Sequence, residues 1–317
     1  MHLRFSTDDV PAPLRRDAID TAFGIHVQGQ VDFLGEASAQ VALDLRALGG
    51  VHIARIDTSP IRLVTPSAED GVIYLSITAV GGGVIDAKGA DRVVRAGDLN
   101  VMLRNRRCTT VVAERSRILS IAVPRAKLVP RLESEDCLVN PRLRSRMAAR
   151  LLESYAATLL ADVGEIEAEE EARVADHVVD LAVMALGARR DDADQAGRGG
   201  MRAARRSAIK ADIAANLAMP ELSLDWIARR HRVSGAYVRA LFYDEGASFT
   251  HYVLSERLAH AHALLRSPYL AQHTIAALAL MAGFSDISWF NQAFRRRFGL
   301  TPSELRNERP GMAQAGE

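Results

Sequence analysis

Hydrogen-bonding side chains gather on one face of residues 283–299, which read GFSDISWFNQAFRRRFG. If a helix begins near Asp286, three phenylalanines fall at i, i+4 and i+8 and form an apolar stripe. In an isolated helix such a pattern usually means a core stripe and a solvated face, so the rest of the chain must decide whether the polar side recognises a partner. The polar side carries the hydroxyl, amide and guanidinium groups of Ser288, Asn291, Gln292 and Arg295, and Arg296 and Arg297 follow.

Residue types that break bonds or bind metals lack the spacing that they need. The two cysteines, Cys108 and Cys137, form neither a CxxC pair nor a metal spacing, which favours a reduced, cytoplasmic protein. His260 and His262 are two residues apart on a predicted helix and therefore point to different faces. No Ser/His/Asp or Cys/His signature is present. We therefore predict no catalytic residue, no metal site and no cofactor.

Length and charge indicate two domains of different character. The 317 residues suffice for two domains, and a hydrophobic content of 48% is ordinary for a globular protein. No run approaches ~18 consecutive apolar residues, and the N-terminus has acids and prolines where a signal peptide needs an apolar stretch. Residues 1–200 carry a net charge of −4, residues 201–306 carry +6 and the remainder −1. A basic C-terminal third suits a surface that binds a polyanion.

The hydrophobic period changes along the chain. Short strands separated by turn signals fill residues 20–125, a pattern typical of a β-sandwich or barrel. Helices are predicted at about 141–161 and 165–190, before a stretch rich in Gly, Asp and Arg. The predicted organisation is a domain at 1–186, a linker at 187–202, an all-helical domain at 203–307 and a disordered tail at 308–317.

Two helix-turn-helix patterns lie about 50 residues apart in the helical region. In the first, Ser223 and Ser234 can each cap a helix on either side of a short turn. In the second, the turn at Gly283 leads into the helix with the polar side, which Gly299 stops. About 18 helical residues join the two patterns, a length of ~27 Å. This spacing could place two recognition helices about one DNA turn, ~34 Å, apart.

Residues 222–306 resemble the DNA-binding domain of the AraC/XylS family of bacterial transcription regulators. The resemblance covers about 85 residues at the family's spacing and includes both helix-turn-helix patterns. The matching residues are Ile227, Ala228, Ser234, Leu241, Phe242, Gly246, Phe249, Tyr252, Arg257, Ala261, Leu264, Leu265, Ile275, Ala279, Gly283, Phe284, Ser288, Phe290, Phe294, Phe298, Gly299, Pro302 and Arg306.

The resemblance implies a cytoplasmic regulator, more often an activator, that binds double-stranded DNA and contacts RNA polymerase. Amides and guanidinium groups suit base edges and phosphates, so the polar side becomes a DNA-contacting face. Ala240 departs from the family, which commonly has Arg there, and this leaves the first recognition helix poor in polar groups. The predicted DNA-binding residues are Ser234, Gly235, Ala236, Tyr237, Arg239, Asp286, Ile287, Ser288, Asn291, Gln292, Arg295 and Arg296.

The first domain more loosely resembles the cupin-like sensors of AraC-type regulators, in its strands, its helix pair and the segments FSTDDVP and AGDLNVML. The overall fold class is then α+β. The resemblance implies a small organic effector inside the barrel and a homodimer formed by the helix pair, with the pocket residues left unnamed. Two alternatives stay open: a domain that only dimerises or obeys a partner protein, and a cupin enzyme with a DNA-binding tail. A metal cupin needs paired histidines on one strand, whereas the strand region offers only His26 and His52.

Overall fold

The structure is a computed structural model, and it divides into two compact units, residues 1–207 and 208–317, each of which is taken by itself. It describes residues 2–26, 29–34, 40–68, 71–86, 91–103, 107–139, 143–161, 164, 166–189, 192, 199–219 and 221–307. The tail predicted to be disordered, 308–317, lies outside these residues. No helix in the described part of the chain is long and apolar enough to cross a membrane.

The first unit contains two antiparallel sheets. One has the order β1-β3-β4-β11-β6-β9 and the other β2-β5-β10-β7-β8. Among the described strands, only β3–β4 and β7–β8 pair with the next strand in sequence. The other pairings join non-consecutive strands, such as β1 with β3 and β4 with β11. The strands are β1 His2–Ser6, β2 Gln30–Phe33, β3 Val41–Leu48, β4 Val51–Thr58, β5 Ile61–Thr65, β6 Val72–Val80, β7 Gly83–Asp86, β8 Asp91–Val94, β9 Leu99–Leu103, β10 Cys108–Val112 and β11 Ser116–Pro124.

A helix lies where strands were expected. The prediction of strands over 20–125 was wrong at its beginning, because α1 spans Arg15–His26. Ile19, Ala22 and Phe23 are buried at i, i+3 and i+4, so this helix closes one part of the core between the sheets. The short helices α2, Arg125–Leu128, and α3, Asp136–Val139, follow the last strand.

Alternation along the central strands divides the first unit into two cores. Ile53, Leu75 and Ile121 are cross-strand neighbours on one face of the larger sheet, and this face packs against two long helices. The opposite face contributes Leu45 and Ile56 to a second core shared with the smaller sheet. The α+β class and the β-rich first domain followed by a helix pair are as predicted.

The helix pair is covered by its own chain. α4 spans Arg146–Ala161 and α5 spans Ala168–Leu186. Leu152 and Leu160 of α4, and Val178 and Leu181 of α5, are fully buried in the core beneath the larger sheet. Most positions of the apolar rows that suggested pairing across a two-fold axis are therefore buried within one chain, whereas Met147 of α4 is 37% exposed. Homodimer formation itself stays a prediction.

The helical region begins before its predicted boundary. α6 spans Gly200–Ala215, so the last three residues of the predicted linker are helical, and the division into units falls inside this helix. The predicted domain limits otherwise stay predictions, since much of 187–202 lies outside the described residues. The remaining helices are α7 Leu224–Arg230, α8 Gly235–Tyr243, α9 Phe249–Arg266, α10 Ile275–Met281, α11 Ile287–Phe298 and α12 Pro302–Asn307.

Candidate nucleic-acid interface

The two helices of the first helix-turn-helix motif, α7 and α8, each begin after a serine that the sequence predicted as a cap. The hydroxyl oxygen of Ser223 accepts a hydrogen bond from the backbone N–H of Trp226 at 3.2 Å. That of Ser234 accepts from the N–H of Tyr237 at 3.1 Å. Each satisfies a helix-end donor that would otherwise lack a partner. Both predicted caps are confirmed, and the cap at Ser234 fixes where α8 begins.

The second motif, α10 and α11, repeats this construction. Thr274 caps α10 by accepting from Ala277 N–H at 3.1 Å, and Asp286 caps α11 by accepting from Trp289 N–H at 2.9 Å. α11 therefore begins at the predicted place. It ends at Gly299, whose left-handed backbone (φ 79°) allows its N–H to bond the carbonyl of Arg295.

The two motifs share one turn geometry. In the first, Val233 N–H donates to Ala228 C=O at 2.9 Å and the preceding residue, Arg232, has φ 53°. In the second, Phe284 N–H donates to Ala279 C=O at 2.9 Å, and Gly283 has φ 90°. Only glycine adopts this left-handed region without steric cost. The first motif therefore carries backbone strain that the second avoids.

Gly283 is also required by close packing. A Cβ there would lie 2.2 Å from the carbonyl oxygen of Leu217 and 2.7 Å from Nε of Arg257. Arg257 donates to the same Leu217 oxygen at 3.0 Å and to Met219 C=O at 3.2 Å, and burial lowers its pKa. This arginine, one of the family-matching residues, thus ties α9 to the chain that follows α6.

The phenylalanine stripe of α11 is core. Phe290 and Phe294 are completely buried, and their ring centroids are 5.5 Å apart. Phe298 extends the row at 4.6 Å from Phe294 and is half-buried, with the ring of His262 4.8 Å away. Burial of this stripe fixes the rotation of α11 about its own axis, so the opposite side must face outward.

The outward side of α11, called here the polar face, comprises Ser288, Asn291, Gln292 and Arg295. All four are exposed, as is the neighbouring Arg296. The amides and guanidinium groups can form paired hydrogen bonds with planar edges or with anionic oxygens. Of the other predicted residues, Ile287 is half-buried and the Asp286 carboxylate is engaged as a helix cap.

Sequence reasoning missed the aromatic side chain beside the polar face. Trp289 is 47% exposed and leans on Phe284, with ring centroids 5.6 Å apart. The available signal was a large aromatic residue next to Ser288 that lies outside the phenylalanine row. An exposed ring with one edge held by the core can stack or make apolar contact with a partner.

The corresponding side of α8 is less polar. Ser234, Ala236 and Arg239 are exposed, whereas Gly235 and Tyr237 are half-buried. Tyr243, at the end of α8, is 81% exposed and had no predicted role. Only one guanidinium therefore projects from the predicted contact residues of the first motif. Family members commonly have Arg at the position of Ala240, which is half-buried here. Among the predicted contacts of the first motif, no second charged residue replaces that arginine.

Nearby basic residues are not all available to a partner. Arg230, at the end of α7, pairs with Asp212 at 2.5 Å and lies over the ring of Trp226 at 5.1 Å. His231 contacts the same carboxylate at 3.1 Å. Among the described residues, no group of three or more His, Cys, Asp or Glu side chains is arranged to hold a metal ion.

Comparison with known proteins places both parts of the chain in one family. A model described as an AraC-binding-like domain matches residues 16–187, and a model described as a helix-turn-helix domain matches residues 227–308. The transcriptional activator RhrA of Rhizobium meliloti (strain 1021) is 36% identical over 102 residues, which are 32% of each chain. The HTH-type transcriptional activator RhaR of Yersinia pseudotuberculosis serotype O:1b (strain IP 31758) is 39% identical over 70 residues, 22% of this chain and 23% of that one.

These matches span about a third or less of the relatives' own length. Among solved structures, the AraC-like transcriptional activator CuxR is 20% identical over 82% of this chain and 96% of that chain, with a TM-score of 0.47.

Proposed function

Because the chain belongs to the AraC family, we propose that it is a transcription regulator, more specifically an activator, that binds double-stranded DNA through its two helix-turn-helix motifs. The observation that carries the proposal is the polar face of α11, which a fully buried phenylalanine row turns outward. The relatives RhrA and RhaR are named as activators, which supports the direction of regulation. RNA polymerase is the partner that activation requires.

The polar face is suited to reading bases. Asn291 and Gln292 each present a donor and an acceptor, the combination that pairs with the major-groove edge of adenine. Arg295 can pair with guanine or with a phosphate, and Arg296, one position further round, with the DNA backbone. In the first motif Arg239 supplies the polar contact, and Ala236 can contact thymine methyl groups. The second motif therefore supplies most of the sequence preference.

Selection of bound duplexes from a random pool tests this proposal. Gln292→Ala and Arg239→Ala should each weaken binding to the selected site by about 1–3 kcal/mol and relax preference at a few adjacent base pairs. Matched controls are Gln40→Ala and Arg62→Ala, which change exposed residues of the strand-rich unit. If both motif variants protect DNA as the parent does, the assigned faces are incorrect; if the parent selects no sequence, DNA-binding regulation is incorrect.

We further propose that a small organic effector bound between the two sheets controls this activity in a cytoplasmic, homodimeric protein. The AraC-binding-like match covers the strand-rich unit, which supports a sensory use. A ligand can regulate only if it binds two arrangements of the protein with different affinity. Control by a partner protein is the alternative, and reciprocal linkage separates the two: operator DNA must change the affinity for a true effector.

A further inference from the structure

The space between the two sheets contains a small cavity whose surface is mainly apolar and whose lining includes several polar residues. It has a volume of about 40 Å³ and is lined by β6, β7, β8, β9 and β10 together with the start of β11. A water molecule needs about 10–15 Å³ by this measure, so the cavity admits a few waters or one compact group. Among its lining residues are Ser76, Thr78, Asn100, Thr110 and Ser116.

Polar residues are concentrated at this end of the core. Ser76 and Asn100 are cross-strand partners on β6 and β9, and Thr78 lies two residues further along β6. Thr78 and Asn100 are nearly completely buried. On β3, which is separated from β6 by β4 and β11, the same core is formed by aliphatic side chains such as Leu43 and Leu45. Buried polar groups are retained where they have a hydrogen-bonding partner, so their clustering here indicates a site.

The side-chain amide of Asn100 has a hydrogen-bonding partner at one of its two polar atoms and none among the described residues at the other. Its Oδ1 accepts a hydrogen bond from Nη2 of Arg92. A guanidinium only donates, so this contact identifies which amide atom is the oxygen. Nδ2 is consequently a donor; it is fully buried, and none of the described residues accepts its hydrogen bond. A buried donor of this kind calls for an acceptor within the cavity.

The charge next to Asn100 selects the kind of acceptor. Arg92 lies two residues before Val94 on β8, so strand alternation turns both residues to the cavity side. The cavity lining contains no Asp or Glu, and the described ion pairs give Arg92 no carboxylate partner. A planar carboxylate has two anionic oxygens that can accept side by side from a guanidinium and an amide, and its charge suits the guanidinium.

We propose that this cavity binds the head group of a compact monocarboxylate of about two to four carbons, a size set by the cavity volume. One carboxylate oxygen accepts from Nδ2 of Asn100 and the other from the guanidinium of Arg92, while the alkyl end lies against Val94 and Ile118. This inference rests on the proposed effector control, because it names the chemical class of that effector. It is independent of which DNA sequence the protein binds.

Calorimetric titration of the full chain tests the inference, with acetate, propionate and butyrate as probes and the corresponding primary amides as neutral controls. We expect at least one carboxylate to bind saturably and at least tenfold more tightly than its amide. Asn100→Asp keeps the side-chain volume but repels an anion, and should abolish that binding. Arg92→Gln removes the cationic donor at a half-buried position, and should weaken binding at least tenfold.

A crossed control separates this inference from the proposed function. Asn291→Asp on the polar face should impair DNA binding and leave carboxylate binding unchanged. Asn100→Asp should abolish carboxylate binding and leave DNA binding unchanged when no carboxylate is added. The inference is overturned if none of the three carboxylates binds, if amides bind equally well, or if Arg92→Gln and Asn100→Asp bind as the parent does. Loss of DNA binding by the parent, with carboxylate binding intact, would overturn the regulator proposal alone.

Discussion

Two equivalent turn residues differ in the backbone strain that they impose on the folded protein. Gly283 and Arg232 occupy the same left-handed position in the two motifs, but only Gly283 does so without a side chain. We expect Gly283→Ala to lower the free energy of unfolding by at least about 1–2 kcal/mol, from backbone strain alone. Contact with the Leu217 oxygen adds to this loss. Chemical denaturation of the full chain measures the effect.

The opposite sign is expected at Arg232. Arg232→Gly relieves the left-handed strain and should stabilise the protein by up to about 1 kcal/mol. Arg229→Gly is a matched control, since it places the same residue inside α7, where glycine costs about 1 kcal/mol. Equal destabilisation by both variants would show that the first turn is not strained.

The buried phenylalanines define structure rather than specificity. Phe294→Ala removes a fully buried ring and should lower the free energy of unfolding by about 3–5 kcal/mol. Phe298→Ala, at a half-buried site on the same row, should cost less. Both should retain the parent's sequence preference under conditions where they are folded. A Phe294→Ala protein that melts normally but selects different DNA would contradict the core assignment.

At the scale of elements, locally determined features were predictable from sequence. The caps at Ser223 and Ser234 depend only on a side chain and the next three residues, and both form as expected. The start of α11 near Asp286 was likewise predicted, although the capping role of the Asp286 carboxylate was not. α1 was missed because its buried positions, Ile19, Ala22 and Phe23, amount to one short apolar patch at the edge of a strand-rich region.

Features that depend on distant pairing could not be predicted. Asn100 meets Ser76 only because β9 pairs with β6, and it meets Arg92 only because β8 and β9 belong to different sheets that face each other. Neither contact leaves a periodic signal in the sequence, since strand register is set by the whole sheet. The cavity between the two sheets therefore had no counterpart among the predicted site residues.

The last helix carries a pH-dependent cap. Glu304 Oε2 accepts from the backbone N–H of Thr301 at 2.7 Å and from its hydroxyl at 2.9 Å, and these bonds, the backbone one first, hold the pKa of Glu304 below its ordinary value. Because its pKa is lowered, ionised Glu304 stabilises the fold at pH values above the pKa of a glutamate in the unfolded chain, about 4.3. This stabilisation is lost as the pH falls through the lower pKa of Glu304 in the folded state.

Glu304→Gln should therefore melt below the parent at pH 7, and the difference in Tm should shrink as the pH is lowered from 6 to below 4. Glu221→Gln, at another exposed glutamate, is the control and should not reproduce this trend. A parent–variant difference in Tm that stays constant across this pH range would show that ionised Glu304 is not part of the cap.

At the scale of the whole molecule, the two parts of the chain differ in net charge. The strand-rich part of the chain is net acidic, and the helical part is net basic. If the chain binds DNA as proposed, repulsion between the acidic part and DNA favours approach of a duplex to the helical unit, where the polar face lies. Within that unit the two motifs are joined by α9, an uninterrupted helix of 18 residues.

The continuous helix α9 joins the two motifs, and we expect it to hold the distance between them fixed. Its length of about 27 Å, with the width of the motifs added, suits two half-contacts one helical turn apart on one face of the duplex. Inserting five base pairs, about half a turn, between the half-contacts moves one of them to the opposite face of the DNA. Electrophoretic mobility shifts with such operators should show affinity falling to the level of a single half-contact. Under the same conditions, Arg239→Ala should no longer weaken binding to the inserted operator, because α8 has already lost its half-contact there. Full affinity for the inserted operator would mean that the two motifs move independently, and the one-face arrangement would then be wrong.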